Sequence, residues 1–325
     1  LGVNRHLVTV RLRAVARTPP GGGADVPGVM RKAFHVVRDP DLLPGFPLYV
    51  GASGEAAVKM ADIDGDGVKE IILADADGQV HAIRGDGGEL PGWPALINVY
   101  PGAFAHAGAR AFATKAADPD TRSAMMASPA IDDLDGDGEI EVVASSYDGY
   151  LFVFEPDGSV RKGFPVEVDR ALSEVTDGDH ILDDGFFSSP VLADLDGDGA
   201  LEILAGAMDG WLYAWRADGE TQTGFPVLLR KPGGDLVARS VSAPAVGDVD
   251  GDGALEIALG SNEDYGNYQG LLYLVHADGN AHPGGPYVEG WPQRFVSLSV
   301  LPLIGEGLPN APAMADVDGD GDDEI

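Results

Sequence analysis

Five short segments of this 325-residue chain place carboxylates at a spacing that suits metal coordination, and all five share the pattern Asp-x-Asp-Gly-Asp-Gly-x-x-Glu. Their ligand positions are Asp62, Asp64, Asp66, Val68 and Glu70; Asp133, Asp135, Asp137, Glu139 and Glu141; and Asp194, Asp196, Asp198, Ala200 and Glu202. The last two copies hold Asp248, Asp250, Asp252, Ala254 and Glu256, then Asp316, Asp318, Asp320, Asp322 and Glu324. Positions 1, 3, 5 and 9 are always acidic. Position 7 varies freely, as a position that offers only its backbone carbonyl can, and position 6 is always Gly, which permits the sharp turn that gathers the carboxylates around one point.

Four carboxylates within nine residues repel one another unless a hard cation neutralises them, and a donor set made only of oxygen favours calcium. Magnesium takes fewer carboxylates and keeps its waters, whereas zinc selects His or Cys, which the loops lack. An EF-hand begins similarly but places its last acid at position 12 and continues into a helix. Here position 9 is followed by Ile71, Val142, Ile203, Ile257 or Ile325, which reads as the start of a strand. Up to five calcium ions are expected, one per loop.

The elements that must hold these loops recur with them. Each unit opens on a short apolar segment such as Val191-Leu192-Ala193, enters the acidic loop, and leaves through an apolar run such as Ile203-Leu204-Ala205. A turn at Asp209-Gly210 leads to Trp211-Leu212-Tyr213-Ala214-Trp215, and a second turn at Asp218-Gly219 to a closing Gly224-Phe225-Pro226. Equivalent tripeptides stand at Gly45-Phe46-Pro47, Gly92-Trp93-Pro94, Gly163-Phe164-Pro165 and Gly290-Trp291-Pro292. The third segment is apolar on both faces and must therefore be covered on both faces, as in a sheet stacked between neighbouring sheets.

The fold class expected is all-β: a β-propeller of four-stranded blades with the calcium loop between first and second strands, incomplete in this chain. The blades are placed at 57–94, 127–165, 187–226 and 242–292, with a truncated one at 310–325 and the outer part of an earlier one at 33–47. Upstream, 18–32 reads as a Pro/Gly linker and 1–17 as the last strand of a preceding domain or a strand of the propeller itself. The Ala-rich stretch from Phe104 to Ala117 is expected to hold a short helix. With no initiator methionine at Leu1 and a fifth repeat that stops after its loop, the chain reads as a piece of a longer protein.

The formal net charge of −32, from 53 acidic against 21 basic residues, excludes nucleic acid and anionic membrane surfaces as natural partners. Positions 1, 3, 5 and 9 of the loops account for 20 of those 53 acids, and five bound calcium ions would leave a formal charge of −22. Zero cysteines exclude a disulfide framework and thiolate metal sites. No apolar run approaches the length of about 18 residues that suggests membrane insertion. The seven histidines form no spaced metal or nucleophile motif, with His35, His81 and His276 placed in or beside third strands. No GxSxG, HExxH or phosphate loop occurs, so no catalytic residue is nominated and the chain is read as not an enzyme.

The loops, the Ile203-Leu204-Ala205-Gly206-Ala207 run and the Gly-Phe-Pro ends resemble FG-GAP/VCBS repeats over residues 33–325, the calcium-loop blades of integrin α-subunit propellers and of many bacterial secreted proteins. Where the integrin version starts a blade with Phe-Gly, this chain has Ser128-Pro129-Ala130, Ser189-Pro190-Val191, Ala243-Pro244-Ala245 or Ala311-Pro312-Ala313, so the bacterial type is the nearer relative. The resemblance implies a monomeric, calcium-stabilised adhesion or targeting module, extracellular, at the cell surface or periplasmic, with a protein or glycan ligand of unknown identity. Weak extracellular-type sites would stay empty at cytosolic calcium. Three alternatives stand beside it. They are a calcium-bearing polysaccharide lyase, disfavoured by sparse basic residues; a lectin stacking sugars on Trp93, Trp211, Trp215 or Trp291, whose recurrence at equivalent blade positions favours packing; and the accessory region of a secreted hydrolase.

Overall fold

A computed structural model describes residues 7–16, 26–35, 43–50, 56–98, 122–173, 184–230, 239–240, 242–261, 270–293 and 310–325. The chain divides into two units, Leu1–Pro47 and Leu48–Ile325. In the second, the first four repeats each fold into a consecutive antiparallel meander. The first sheet is β3 (Lys59–Ala61), β4 (Glu70–Ala74), β5 (Gln79–Ile83) and β6 (Ala95–Leu96), and the second β7 (Ala130–Asp132), β8 (Glu141–Ser145), β9 (Tyr150–Phe154) and β10 (Val166–Glu167). The third is β11 (Val191–Ala193), β12 (Glu202–Gly206), β13 (Trp211–Trp215) and β14 (Val227–Leu228), and the fourth β15 (Ala245–Gly247), β16 (Glu256–Gly260) and β17 (Leu272–His276). In the fourth sheet the outer position is taken by a bridge from Leu272 to Gln293.

Alternation explains why the central strands are apolar throughout. Val142 and Ala144 of β8, with Phe152 and Phe154 of β9, share one core with Ile72, Ala74, Val80 and Ala82 of the first sheet. The residues between them, Val143, Leu151 and Val153, share another with Ile203, Ala205, Tyr213 and Trp215 of the third sheet. The opposite face of the third sheet, Leu204, Leu212 and Ala214, packs on Ile257, Leu259, Tyr273 and Val275 of the fourth. Each inner sheet is thus filled from both sides, the arrangement of propeller blades.

The junctions repeat as faithfully as the blades. The glycine that opens each closing tripeptide has a positive φ, and in the first three sheets it has no room for a side chain. A Cβ on Gly92, Gly163 or Gly224 would stand 1.8, 2.0 or 2.0 Å from the carbonyl oxygen of Asp157, Asp218 or Asp278, each in the Asp-Gly turn of the following sheet. At the blade starts, the Ser128 hydroxyl accepts the Ala57 N–H at 2.8 Å and the Ser189 hydroxyl accepts the Ser128 N–H at 2.9 Å, joining three successive sheets. The Trp93 indole N–H donates to the Pro156 carbonyl at 2.9 Å, again from one sheet to the next.

Two boundaries differ from the sequence expectation. The tripeptides do not end the blades: β10 and β14 begin immediately after Pro165 and Pro226, so the fourth strand lies outside the ranges 127–165 and 187–226. A two-residue strand has no periodicity for a sequence to display. In the first unit, β1 (Leu7–Ala16) pairs antiparallel with β2 (Val26–His35), from Leu7 opposite His35 to Ala16 opposite Val26. The strand β2 therefore occupies the second half of the stretch read as linker, and His35 lies in this ribbon rather than beside a third blade strand. Pro27 stands at the second residue of β2, where an edge strand tolerates its missing donor, and Val26, Val29 and Met30 supply strand propensity. The helix expected between Phe104 and Ala117 lies outside the described residues.

Candidate metal centres

Each loop is the turn of a hairpin whose second strand starts at the position-9 glutamate: β4 at Glu70, β8 at Glu141, β12 at Glu202 and β16 at Glu256. In the fifth copy, Glu324 bridges Ala315. The four glutamates of the complete hairpins are at most 2% exposed. One oxygen of each accepts the position-2 backbone N–H, from Ile63, Leu134, Leu195 or Val249, at 2.8 to 3.0 Å. Glu324 repeats this bond to Val317.

The aspartates are held by the backbone they fold. In the third loop, Asp194 accepts from Gly197 and Asp198 through Oδ1 and from Gly199 through Oδ2, and Asp198 Oδ1 accepts from Ala200 at 2.8 Å. The glycines at positions 4 and 6 have positive φ in all five loops, which turns their amides inward. Sequence reasoning found the role of position 6 and missed that of position 4, although Gly stands there in every copy.

Carboxylate oxygens of Asp133, Asp135 and Glu141 lie within 4.8 Å of one another, as do those of Asp194, Asp196 and Glu202, and of Asp248, Asp250 and Glu256. In the first and fifth loops the gathered sets are Asp62, Asp64 and Asp66, and Asp316, Asp318 and Asp320. Asp137, Asp198 and Asp252 fall outside these sets and instead accept the position-7 amide.

Burial is the largest influence on the glutamates and pushes their carboxyls above the usual range, with the loop aspartates adding to it and the position-2 N–H opposing it. Glu202 is pushed up to about 7. Asp62 Oδ1 is buried with no hydrogen-bond partner. A clustered, oxygen-only donor set, with a buried glutamate in three of the loops and an orphaned aspartate oxygen in the first, fits a hard divalent cation and gives a soft metal nothing to select.

The second loop differs from the others. Arg161, 13% exposed at its side chain, ion-pairs with both Asp135 and Glu141. Its Nη1 stands 3.1 Å from Glu141 Oε1 without hydrogen-bond alignment, and its Nε donates to the Ala217 carbonyl of the third sheet at 3.1 Å. Two residues before the tripeptide glycine, Arg161 corresponds to Leu90 in the first sheet and Gln222 in the third. Gln222 donates to Asp196 at 2.9 Å.

Among the nominated aromatics, Trp93 and Trp215 are buried in blade cores, while the Trp211 indole N–H donates to the Leu172 carbonyl. His81 of β5 sits between Glu89 at 2.7 Å and Asp75 at 3.5 Å, a contact the sequence spacing did not signal.

Fold and loops together define a β-propeller that presents one acidic hairpin loop per blade. Residues 133–205 and 194–259 match the sequence model of the FG-GAP-like repeat, each span running from one loop through the second strand of the next sheet. The two matches together span residues 133–259. No curated protein sequence matches it.

Among solved structures, the C-terminal domain of Pseudomonas aeruginosa PilY1 is similar at 16% identity and a TM-score of 0.45, covering 68% of this chain and 48% of that one. BBS1N, in a complex with ARL6DN, is similar at 12% identity and 0.43, covering 74% and 55%. BamB from Moraxella catarrhalis is similar at 11% and 0.37, covering 76% and 66%. The chain spans about half the length of the first two.

Proposed function

We propose that the acidic loops bind calcium, that the ions hold the propeller together, and that the propeller is a non-catalytic adhesion or targeting module working outside the cell. The observation that carries this reading is the buried glutamate at the start of β4, β8, β12 and β16, gathered in three of these loops with two aspartates. Such a cluster is costly without a cation and stabilising with one. The burial of Trp93 and Trp215 supports packing roles for them over sugar stacking.

At about 1 mM free calcium and a dissociation constant of about 10⁻⁴ M, each filled loop stabilises the folded state by about 1.4 kcal/mol. Thermal melts in calcium and in EGTA test the metal reading: the melting temperature rises with calcium, and an unchanged value refutes it. Incubation with acidic polysaccharides tests the rest, since release of unsaturated products would make the chain a lyase. Glycan and protein arrays probed with the calcium-loaded chain identify the ligand class.

A further inference from the structure

Arg161 makes the second loop unlike its neighbours. Its guanidinium contacts Asp135 and Glu141, two of the three residues whose carboxylates gather in that loop, and Glu155 lies 3.7 Å away as a further acceptor. The side chain is anchored from outside the loop, on the Ala217 carbonyl, and lines a shallow cavity with Asp135, Glu155, Lys162 and Asp218. In the third loop the same place is taken by the neutral Gln222, and in the first by the buried apolar Leu90.

We infer that Arg161 is a built-in counter-cation of the second loop, which a calcium ion must displace before Asp135 and Glu141 can both coordinate it. This rests on the calcium reading above. A guanidinium this close compensates part of the loop's negative charge without metal and repels an arriving divalent ion. The second loop is then the weakest calcium site among the hairpins of the first three sheets, by about tenfold relative to the third. Displacement swings the guanidinium toward Glu155 and alters its hold on Ala217, so filling this loop is felt at the junction of the second and third sheets.

Calcium titration by calorimetry on the whole chain tests this. In the wild type the phase assigned to the second loop is about tenfold weaker than that assigned to the third. D135N removes that phase, whereas D196N removes a strong one. R161Q, which installs the third sheet's residue, converts the weak phase into a strong one at unchanged stoichiometry, and R161K, which keeps the charge, leaves it weak. An R161Q isotherm identical to wild type, or loss of a strong phase in D135N, overturns the inference while leaving calcium binding intact. Absence of any calcium uptake refutes both readings together.

Discussion

Replacing Gly163 by Ala tests whether the blade junctions are as tight as their geometry indicates. The added Cβ would meet the Asp218 carbonyl oxygen at 2.0 Å, roughly 1 Å closer than such atoms approach in folded proteins, and a backbone oxygen cannot rotate away. The position also has φ +98°. Gly285 has the same φ of +98°, and a Cβ added there would meet nothing within 4 Å, so Gly285→Ala carries the backbone cost alone. That cost is about 1 to 2 kcal/mol for an L-residue in left-handed conformation. The forced contact adds about 1 to 3 kcal/mol, the usual range for overpacking. Urea unfolding in calcium buffer, followed by tryptophan fluorescence, should therefore place Gly163→Ala below Gly285→Ala by about 1 to 3 kcal/mol. Gly92→Ala and Gly224→Ala should repeat the effect at their own junctions. Equal destabilisation of Gly163→Ala and Gly285→Ala would refute the idea that the tripeptide glycine serves the contact between blades.

Ser189→Ala removes the acceptor for a part-buried N–H and is expected to cost about 1 kcal/mol in the same assay, more than Ser128→Ala, whose donor Ala57 is exposed. Asp209 is pushed up to about 7, chiefly by burial, with the Tyr213 hydroxyl and the Trp211 N–H opposing. Its folded value lies above its unfolded one, so the native state holds a proton that the unfolded chain releases, and stability falls as pH rises from about 4 through about 7. Asp209→Asn, measured by melting temperature against pH in EGTA, should flatten that decline; an unaltered slope would assign it elsewhere.

Much of the site was legible because its signal is covalent spacing. Five acids-and-glycine patterns identify the loops, and an isoleucine or valine after each position-9 glutamate marks the strand that β4, β8, β12 and β16 confirm at the residue. Two-faced apolar segments such as Leu151-Phe152-Val153 likewise announced sheets covered on both sides. What escaped detection depends on neighbours distant in sequence. Arg161 is one cation among 21 until the fold brings it to Asp135 and Glu141. The tripeptide glycines looked like turn formers, yet their partners are 54 to 65 residues away in the next repeat. The ribbon of β1 and β2 was half missed because glycine and proline between Thr18 and Gly28 outweighed the strand propensity that follows.

The recurrence of one glycine-to-carbonyl contact at three successive junctions means that neighbouring blades share a repeated backbone contact in addition to the side chains packed between them. That backbone part of the junction is kept whenever a blade is copied or exchanged along the gene, so only the packed side chains need to adjust to a new neighbour. Side-chain individuality can collect around it, as it has at Arg161, and repeats with similar scaffolds can drift toward unequal tasks.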